Sequence, residues 1–125
     1  MGKKVGAERL DNESCLFRTW SPFAEKVEVV LKDRNEPVAM QKDEQGYWET
    51  VIKDTNPGDL YKIRLDEEDD FPDPASRSQP QGVHSWSRVI DALSYSWSDG
   101  NYKSRELKDM VIYELHVGTF TPEGT

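Results

Sequence analysis

The sequence predicts an all-β fold, a β-sandwich, and three observations support this. Between residues 13 and 66, short extended runs alternate with turns at a spacing of about ten residues. Several of these runs alternate apolar and polar residues, and no segment before residue 100 shows a sustained helical period. Short strands at such a spacing are typical of a sandwich. A length of 125 residues allows one domain of common size and little more.

The first predicted strands lie before residue 41. "SCLFRTW" (14–20) alternates apolar and polar residues, and Pro22 follows its end. "KVEVVLK" (26–32) is short and rich in β-branched residues, which favour strands. After the turn cluster "DRNEP" (33–37), "VAM" (38–40) predicts a brief edge strand.

Two longer strands follow. "YWETVIK" (47–53) combines aromatic and β-branched residues after the turn "KDEQG" (42–46). The segment "DTNPGD" (54–59) contains Asn-Pro-Gly, which is a strong turn signal. "LYKIRLD" (60–66) alternates cleanly and therefore predicts a strand with one apolar face. Residues 1–70 are thus assigned to the sandwich.

The segment from 71 to 108 has a different character. It carries three prolines, many serines and isolated aromatic residues, and proline restricts the chain to extended or turn conformations. Its apolar residues recur often enough to need a surface on which to lie. We expect an ordered, irregular linker that packs partly across the sandwich.

Residues 109–125 form a third part. "DMVIYELHVG" (109–118) is an almost continuous apolar run, which is typical of a strand buried on both faces. Nothing else in the chain is predicted to cover it. We therefore expect the stretch from Val111 to Val117 to add to the edge of the sandwich or of a second copy, or to be disordered beyond about Ser104.

Composition excludes several function classes. The net charge of −8 disfavours nucleic acid and anionic membranes as partners, and leaves a neutral ligand such as a sugar, or a protein, open. No apolar run reaches transmembrane length. The single cysteine, Cys15, lies in a predicted strand and suits a reducing compartment, so we expect a cytoplasmic protein.

The sequence offers no self-contained catalytic or metal site. His84 and His116 stand far apart, no zinc-binding spacing or phosphate-binding loop occurs, and we predict no cofactor. Glu114 and His116 share one face of the last predicted strand. We interpret them as polar groups that face a missing part of the protein.

Exposed aromatic residues are the candidates for sugar stacking. Trp20 and Trp48 lie in predicted strands, where burial in the core is the favoured interpretation. Phe71 and Trp86 lie outside the predicted strands and are the candidate substrate-binding residues, and Trp97 and Tyr102 are also candidates. Packing beneath the irregular segment is nevertheless the favoured interpretation of each of these four.

Three stretches resemble a known family. "FRTWSPFAEKVEVVL" (17–31) resembles the opening of the N-terminal sandwich of branching enzymes, isoamylases and trehalohydrolases. "PDPASRSQPQGVH" (72–84) and "VIYELHVGTFTPEGT" (111–125) together resemble the maltooligosyltrehalose trehalohydrolases of the α-amylase family. The chain departs from that family at Ser78, where an aromatic residue is usual, and at 85–87, where Ser-Trp-Ser replaces Gly-Pro-Ser.

The resemblance implies an immunoglobulin-like (E-set) sandwich, an irregular linker, and the first strand of a truncated (β/α)8 barrel. It implies an accessory domain that packs on the catalytic barrel and shapes the substrate cleft of a glycoside hydrolase. That parent would hydrolyse maltooligosyltrehalose to trehalose and maltooligosaccharide. Its catalytic carboxylates would lie on later barrel strands, so this chain alone is expected to be inactive, while His116 would line the approach to the site.

Two alternatives remain from the sequence. One is an α-glucan-binding module, although the turn "KDRNEP" (32–37) lacks the aromatic residue that glucan-binding relatives present there, and only Phe71 is near the second such place. The other is the N-terminal domain of a glycogen branching or debranching enzyme.

Overall fold

Two antiparallel β-sheets pack around one core in the computed structural model, which describes residues 2–10 and 13–124. The described chain divides into two compact units, one up to Tyr95 and the other from Ser96. Both sheets belong to the first unit. Its strands are β1 Gly6–Arg9, β2 Ser14–Trp20, β3 Val27–Leu31, β4 Val38–Ala39, β5 Gln41–Lys42, β6 Tyr47–Lys53, β7 Leu60–Leu65, β8 Asp70–Phe71 and β9 Ser87–Arg88.

The order of the first sheet is β1-β2-β6-β5, and that of the second is β4-β3-β7-β8, with β9 also paired to β7. The strands β8 and β9 therefore share one edge of β7, opposite Ile63–Arg64 and Leu60–Tyr61 respectively. All the pairings are antiparallel. The predicted all-β, two-sheet architecture is confirmed.

The longer strands of the structure coincide with the strands predicted from the sequence. The predictions over 14–20 and 47–53 match β2 and β6, and those over 26–32 and 60–66 each contain the observed strand. Two details were wrong. Residues 41–42 pair as β5, at the start of a stretch interpreted as a turn, and β1, β8 and β9 were not predicted.

The core lies between the inner faces of the two sheets. Phe17 of β2 meets Tyr61 of β7 edge to face, with 4.9 Å between ring centroids. Aromatic pairs in this geometry contribute beyond their buried area. The buried apolar residues are Cys15, Phe17, Ala24, Val27, Val29, Leu31, Met40, Trp48, Ile52, Tyr61, Ile63 and Val89.

The second unit contains two short helical turns. A 3-10 helix spans Leu107–Asp109, and the helix α1 spans Val117–Phe120. Between them, residues 110–116 pair with no strand of the described chain, and Val111, Ile112 and Tyr113 are exposed. The expectation that Val111 to Val117 adds to the edge of the sandwich or of a second copy, or is disordered, stays a prediction.

Candidate functional site

The three residues predicted to bind substrate occupy different places. Phe71, in β8, is 46% exposed and pairs with Ile63. Trp86 is half-buried, and the Nζ of Lys62 lies 5.3 Å from its ring centroid. His116 belongs to the second unit, where it is exposed and its Nδ1 lies 3.4 Å from Oγ1 of Thr119.

The strand register separates Phe71 from Trp86. The partner of Phe71 is Ile63, whose side chain is buried in the core. Trp86 contacts Lys62, the neighbouring residue of the same strand, and successive side chains of a strand point to opposite faces. These two aromatic residues therefore do not form a joint platform. The role of each in binding stays a prediction.

Another aromatic surface lies on the outer face of the first sheet. Trp48 is buried, as predicted, but Trp20 is 58% exposed, so its prediction as a core residue was wrong. In the register of β2 and β6, Trp20 is opposite Tyr47, and Arg18 is opposite Glu49. Directly opposed residues share a face, so these four form a group that we call the outer aromatic face.

The sequence contained a signal for this position of Trp20. In β2, the residues of one parity, Cys15, Phe17 and Thr19, are buried. Trp20 has the parity of Arg18, a charged residue that does not belong in a core. The period of two residues along a strand therefore places its indole on the outer face.

Two packed turns hold the indole of Trp20 in place. Its Nε1 donates to the carbonyl oxygen of Gln45 at 3.1 Å. The carboxylate of Asp43 fixes that turn by accepting from the backbone N–H of Gln45 at 2.8 Å and of Tyr47 at 2.9 Å. Gly46 has a φ of 84° and a Cβ there would lie 2.8 Å from Cβ of Pro22, so only glycine permits this approach.

The neighbouring turn, residues 21–24, is also fixed. The Nζ of Lys42 donates to the carbonyl oxygens of Pro22 and Ala24, at 2.8 and 2.9 Å. The indole N–H of Trp48 donates to the carbonyl oxygen of Ser21 at 2.9 Å. This rigid turn presents Phe23, which is 95% exposed.

The charged residues in and beside the outer aromatic face form ion pairs. Arg18 Nε lies 2.8 Å from Glu49 Oε2, and Lys3 Nζ lies 2.7 Å from Asp43 Oδ2 and 3.7 Å from Glu49 Oε2. The hydrogen bond between Lys3 and Asp43 raises the pKa of the Lys3 ammonium and lowers the pKa of the Asp43 carboxyl. Two cations thus balance two anions, and the surface carries no net charge from these groups.

A groove of about 310 Å³ opens elsewhere on the first unit. Leu10, Ile90 and Leu93 contribute its apolar part. Nη1 of Arg9 and Oδ2 of Asp91, 2.8 Å apart, form an ion pair in its wall. The groove is lined by no aromatic side chain, so it offers a sugar ring no stacking surface.

The loop after β8 is anchored by a buried carboxylate. Asp73 is 3% exposed, and its Oδ2 accepts from the hydroxyl of Tyr61 at 2.6 Å. Its Oδ1 accepts from the backbone N–H of Ala75, and its own N–H donates to Oγ of Ser87. Burial and the nearby carboxylate raise the pKa of Tyr61. Each polar atom here has a partner, so the arrangement positions a loop and offers no acid or base for chemistry.

No metal centre is formed by residues 2–10 and 13–124, where no group of three or more His, Cys, Asp or Glu side chains could hold an ion. Burial raises the pKa of the Cys15 thiol to about 11, which keeps it protonated and unreactive.

Comparison with known families gives a match over most of the chain. The family model described as carbohydrate-binding module 48 (isoamylase N-terminal domain) matches residues 2–94. The malto-oligosyltrehalose trehalohydrolase of Saccharolobus solfataricus is 41% identical over 117 residues, which cover 94% of this chain and 20% of the relative. That of Arthrobacter ramosus is 40% identical over 111 residues, covering 87% and 19%. The chain thus spans about a fifth of the length of these relatives.

Solved structures agree with this match. A candidate alpha amylase from Salmonella typhimurium superposes with a TM-score of 0.80 at 35% identity, covering 100% of this chain and 21% of the other. The pullulanase of Paenibacillus barengoltzii superposes with a TM-score of 0.72 at 28% identity, covering 94% and 20%. In both structures, the similar region is a small part of a much longer chain.

Proposed function

The chain belongs to the carbohydrate-binding module 48 (isoamylase N-terminal domain) family, and we propose that it is the accessory sandwich domain of an α-amylase-family glycoside hydrolase. The parent enzyme would hydrolyse maltooligosyltrehalose to trehalose and maltooligosaccharide. The sandwich would pack on the catalytic barrel and shape one wall of the substrate cleft. We expect such an enzyme in the cytoplasm.

The observation that carries this proposal is the coverage of the trehalohydrolase relatives. The similarity runs over 94% of this chain but only 20% of the Saccharolobus solfataricus enzyme, at 41% identity. An accessory domain has this relation to a multidomain enzyme. The segments "PDPASR" (72–77) and "FTPEGT" (120–125) support the assignment, because their combination resembles the trehalohydrolases.

The last part of the chain fits the same proposal. We assign residues 71–108 as a linker and residues 109–125 as the first strand of the catalytic barrel. Its apolar side chains Val111, Ile112 and Tyr113 are exposed in this chain, whereas barrel strands are covered on both faces. In the barrel, His116 would lie near the end of that strand, which is the end where active sites gather.

A branching or debranching parent is the second candidate. The similarity to the Paenibacillus barengoltzii pullulanase at 28% identity favours it. The trehalohydrolases are matched at higher identity over as much of the chain, so we retain the trehalohydrolase parent.

The test is to extend the coding sequence beyond Thr125 in the source genome and to assay the whole product. We expect trehalose release from maltooligosyltrehalose, with little debranching of pullulan. Substrates for branching, debranching and trehalose release would be compared in parallel. A whole product that debranches pullulan and releases no trehalose would contradict the trehalohydrolase assignment, and a reading frame without a barrel would contradict the accessory role.

A further inference from the structure

We propose that the outer aromatic face (Arg18, Trp20, Tyr47 and Glu49) binds a neutral saccharide chain, with one pyranose ring stacked on the indole of Trp20. This inference rests on the proposed function and deepens it, since it places a sugar contact on the sandwich itself. The location differs from Phe71 and Trp86, which were the candidates named from the sequence.

The indole of Trp20 is both exposed and held by a hydrogen bond. Trp20 lies at the end of β2 on the outer face of the sheet, and it is 58% exposed. Its N–H donates to the carbonyl oxygen of Gln45, so the ring is oriented by this bond while more than half of the residue is exposed. A preorganised side chain loses little conformational freedom on binding.

Arg18 and Glu49 place hydrogen-bonding groups on the same face as Trp20. A sugar ring has apolar C–H faces and a rim of hydroxyl groups, so it needs an aromatic plane beside both donors and acceptors. The guanidinium of Arg18 has five N–H donors, and it uses Nε for Glu49 and Nη1 for the carbonyl oxygen of Lys4. The carboxylate of Glu49 supplies acceptors at the same place.

The charge balance selects the class of ligand. Arg18 is paired with Glu49, and Lys3 with Asp43 and Glu49. An anionic ligand would have to break these pairs, and the net charge of −8 would repel it as well. A neutral saccharide requires no such rearrangement. A protein surface is the other possible occupant, and the experiment below distinguishes the two.

The affinity of such a shallow site should be low, with a dissociation constant in the millimolar range. One stacked ring and a few solvent-exposed hydrogen bonds leave little surplus over the cost of association. A titration by NMR is suited to this range because it detects weak binding and locates it.

The experiment follows the four tryptophan indole N–H signals of the 15N-labelled chain during titration with maltoheptaose. The Trp20 signal is assigned from the Trp20→Phe variant. We expect saturable shifts at Trp20 and at the backbone of Tyr47, with the indole signal of buried Trp48 nearly unmoved. Trp48 bonds to the turn beside Trp20, so its unchanged signal shows that the turn remains folded.

Matched variants complete the test. Trp20→Leu should weaken binding roughly tenfold, because a flat ring is replaced by an aliphatic chain. Trp20→Phe should retain most of the affinity, and Phe71→Ala, which removes an exposed ring from the other sheet, should leave it unchanged. If Trp20→Leu does not fold, the shift map of the unaltered chain still decides the question.

Several results would overturn the proposal. Shifts confined to Phe71 or Trp86 would place the sugar elsewhere while leaving carbohydrate binding intact. The absence of any shift at Trp20 in near-saturated maltoheptaose would exclude the site and favour a protein contact there. Neither result bears on the parent activity, which is tested separately by trehalose release from the whole gene product.

Discussion

At the residue scale, the hydroxyl of Tyr61 and the carboxylate of Asp73 form a buried hydrogen bond of 2.6 Å. The backbone N–H of Asp73 donates to Oγ of Ser87, and the other carboxylate oxygen of Asp73 accepts from the backbone N–H of Ala75. The carboxylate of Asp73 thus joins β7 to the loop. The backbone N–H of the same residue joins the loop to Ser87 of β9. The burial of the carboxylate is tolerated because hydrogen bonds satisfy it.

Tyr61→Phe should therefore destabilise the sandwich by about 1–3 kcal/mol, the cost of leaving a buried acceptor without its donor. The ring itself, and its contact with Phe17, would be retained. Urea denaturation followed by tryptophan fluorescence measures the change. Tyr102→Phe, at an exposed tyrosine, is the control and should have no effect. Equal stability of both variants would show that Asp73 does not depend on this bond.

Asp66 makes a pH-dependent contribution to the stability of the folded state. Its Oδ1 accepts from the backbone N–H groups of Lys26, at 2.9 Å, and Glu25, at 2.8 Å. These bonds lower its pKa below the ordinary value of 3.8. A carboxyl with a lowered pKa stabilises the folded state above its unfolded pKa. This stabilisation is lost as the pH falls through the folded pKa.

Asp66→Asn should therefore reduce the free energy of unfolding at about pH 6, and the difference from the unaltered chain should shrink toward about pH 2. Urea titrations at several pH values measure it. Asp99→Asn changes an exposed carboxylate that accepts no side-chain hydrogen bond within residues 2–10 and 13–124, and it serves as the control. A constant difference across the whole pH range would show that the charge of Asp66 contributes nothing.

At the element scale, the sequence predicted the strands whose pattern is local. The alternation in β2, β6 and β7 depends only on their own residues, so their bounds were predicted closely. The two-residue strands β8 and β9 exist because both lie along one edge of β7. No pattern within two residues can predict such a pairing.

The outer aromatic face was harder to predict, because its geometry also depends on contacts between segments that are apart in the sequence. The exposure of Trp20 follows from the parity of β2 and from the turn that binds its N–H. Parity and the turn at 42–46 can be read from the sequence, but the hydrogen bond from the indole N–H to Gln45 cannot, because it depends on how that turn packs beside β2. Phe71 and Trp86 were chosen as isolated aromatics, and the register that separates them depends on pairing with β7.

The stretch from 109 to 125 should contribute nothing to the stability of the sandwich. The buried cluster of the described residues extends only to Val89 in sequence. Deleting 109–125 should leave the melting temperature unchanged, which differential scanning calorimetry can measure. Loss of folding in the deletion variant would show that this stretch belongs to the core.

The same stretch should control self-association. Val111 is 100% exposed and Ile112 is 74% exposed, and an exposed apolar segment of this kind invites pairing between chains. Sedimentation velocity at increasing concentration should show association that is reduced by Ile112→Lys. The control is Val83→Lys, at an exposed valine in the first unit. An equal reduction by both variants would show that general surface charge, not this segment, governs association.

At the scale of the whole molecule, two carboxylates of the described residues, those of Asp73 and Asp91, are engaged in bonds within the first unit. The buried carboxylate of Asp73 is fully occupied, and the ion pair of Arg9 and Asp91 lies in a groove that offers no stacking surface. A glycoside hydrolase of the common type needs two carboxyl groups about 5–10 Å apart on rigid elements, on either side of the bond to be cleaved. No such cleft is formed by these groups.

The 125-residue chain should therefore show no hydrolysis of maltooligosyltrehalose or of glucose polymers. In the proposed parent, the catalytic carboxylates belong to barrel strands beyond those in this chain, so even a bound saccharide would meet no acid and no nucleophile. The assay measures trehalose and reducing-end release at high protein concentration, with the whole gene product as the positive control. Trace activity that disappears on a second purification step would be a contaminant. Sustained trehalose release that co-purifies with the chain would contradict the accessory role and require a catalytic pair within these residues.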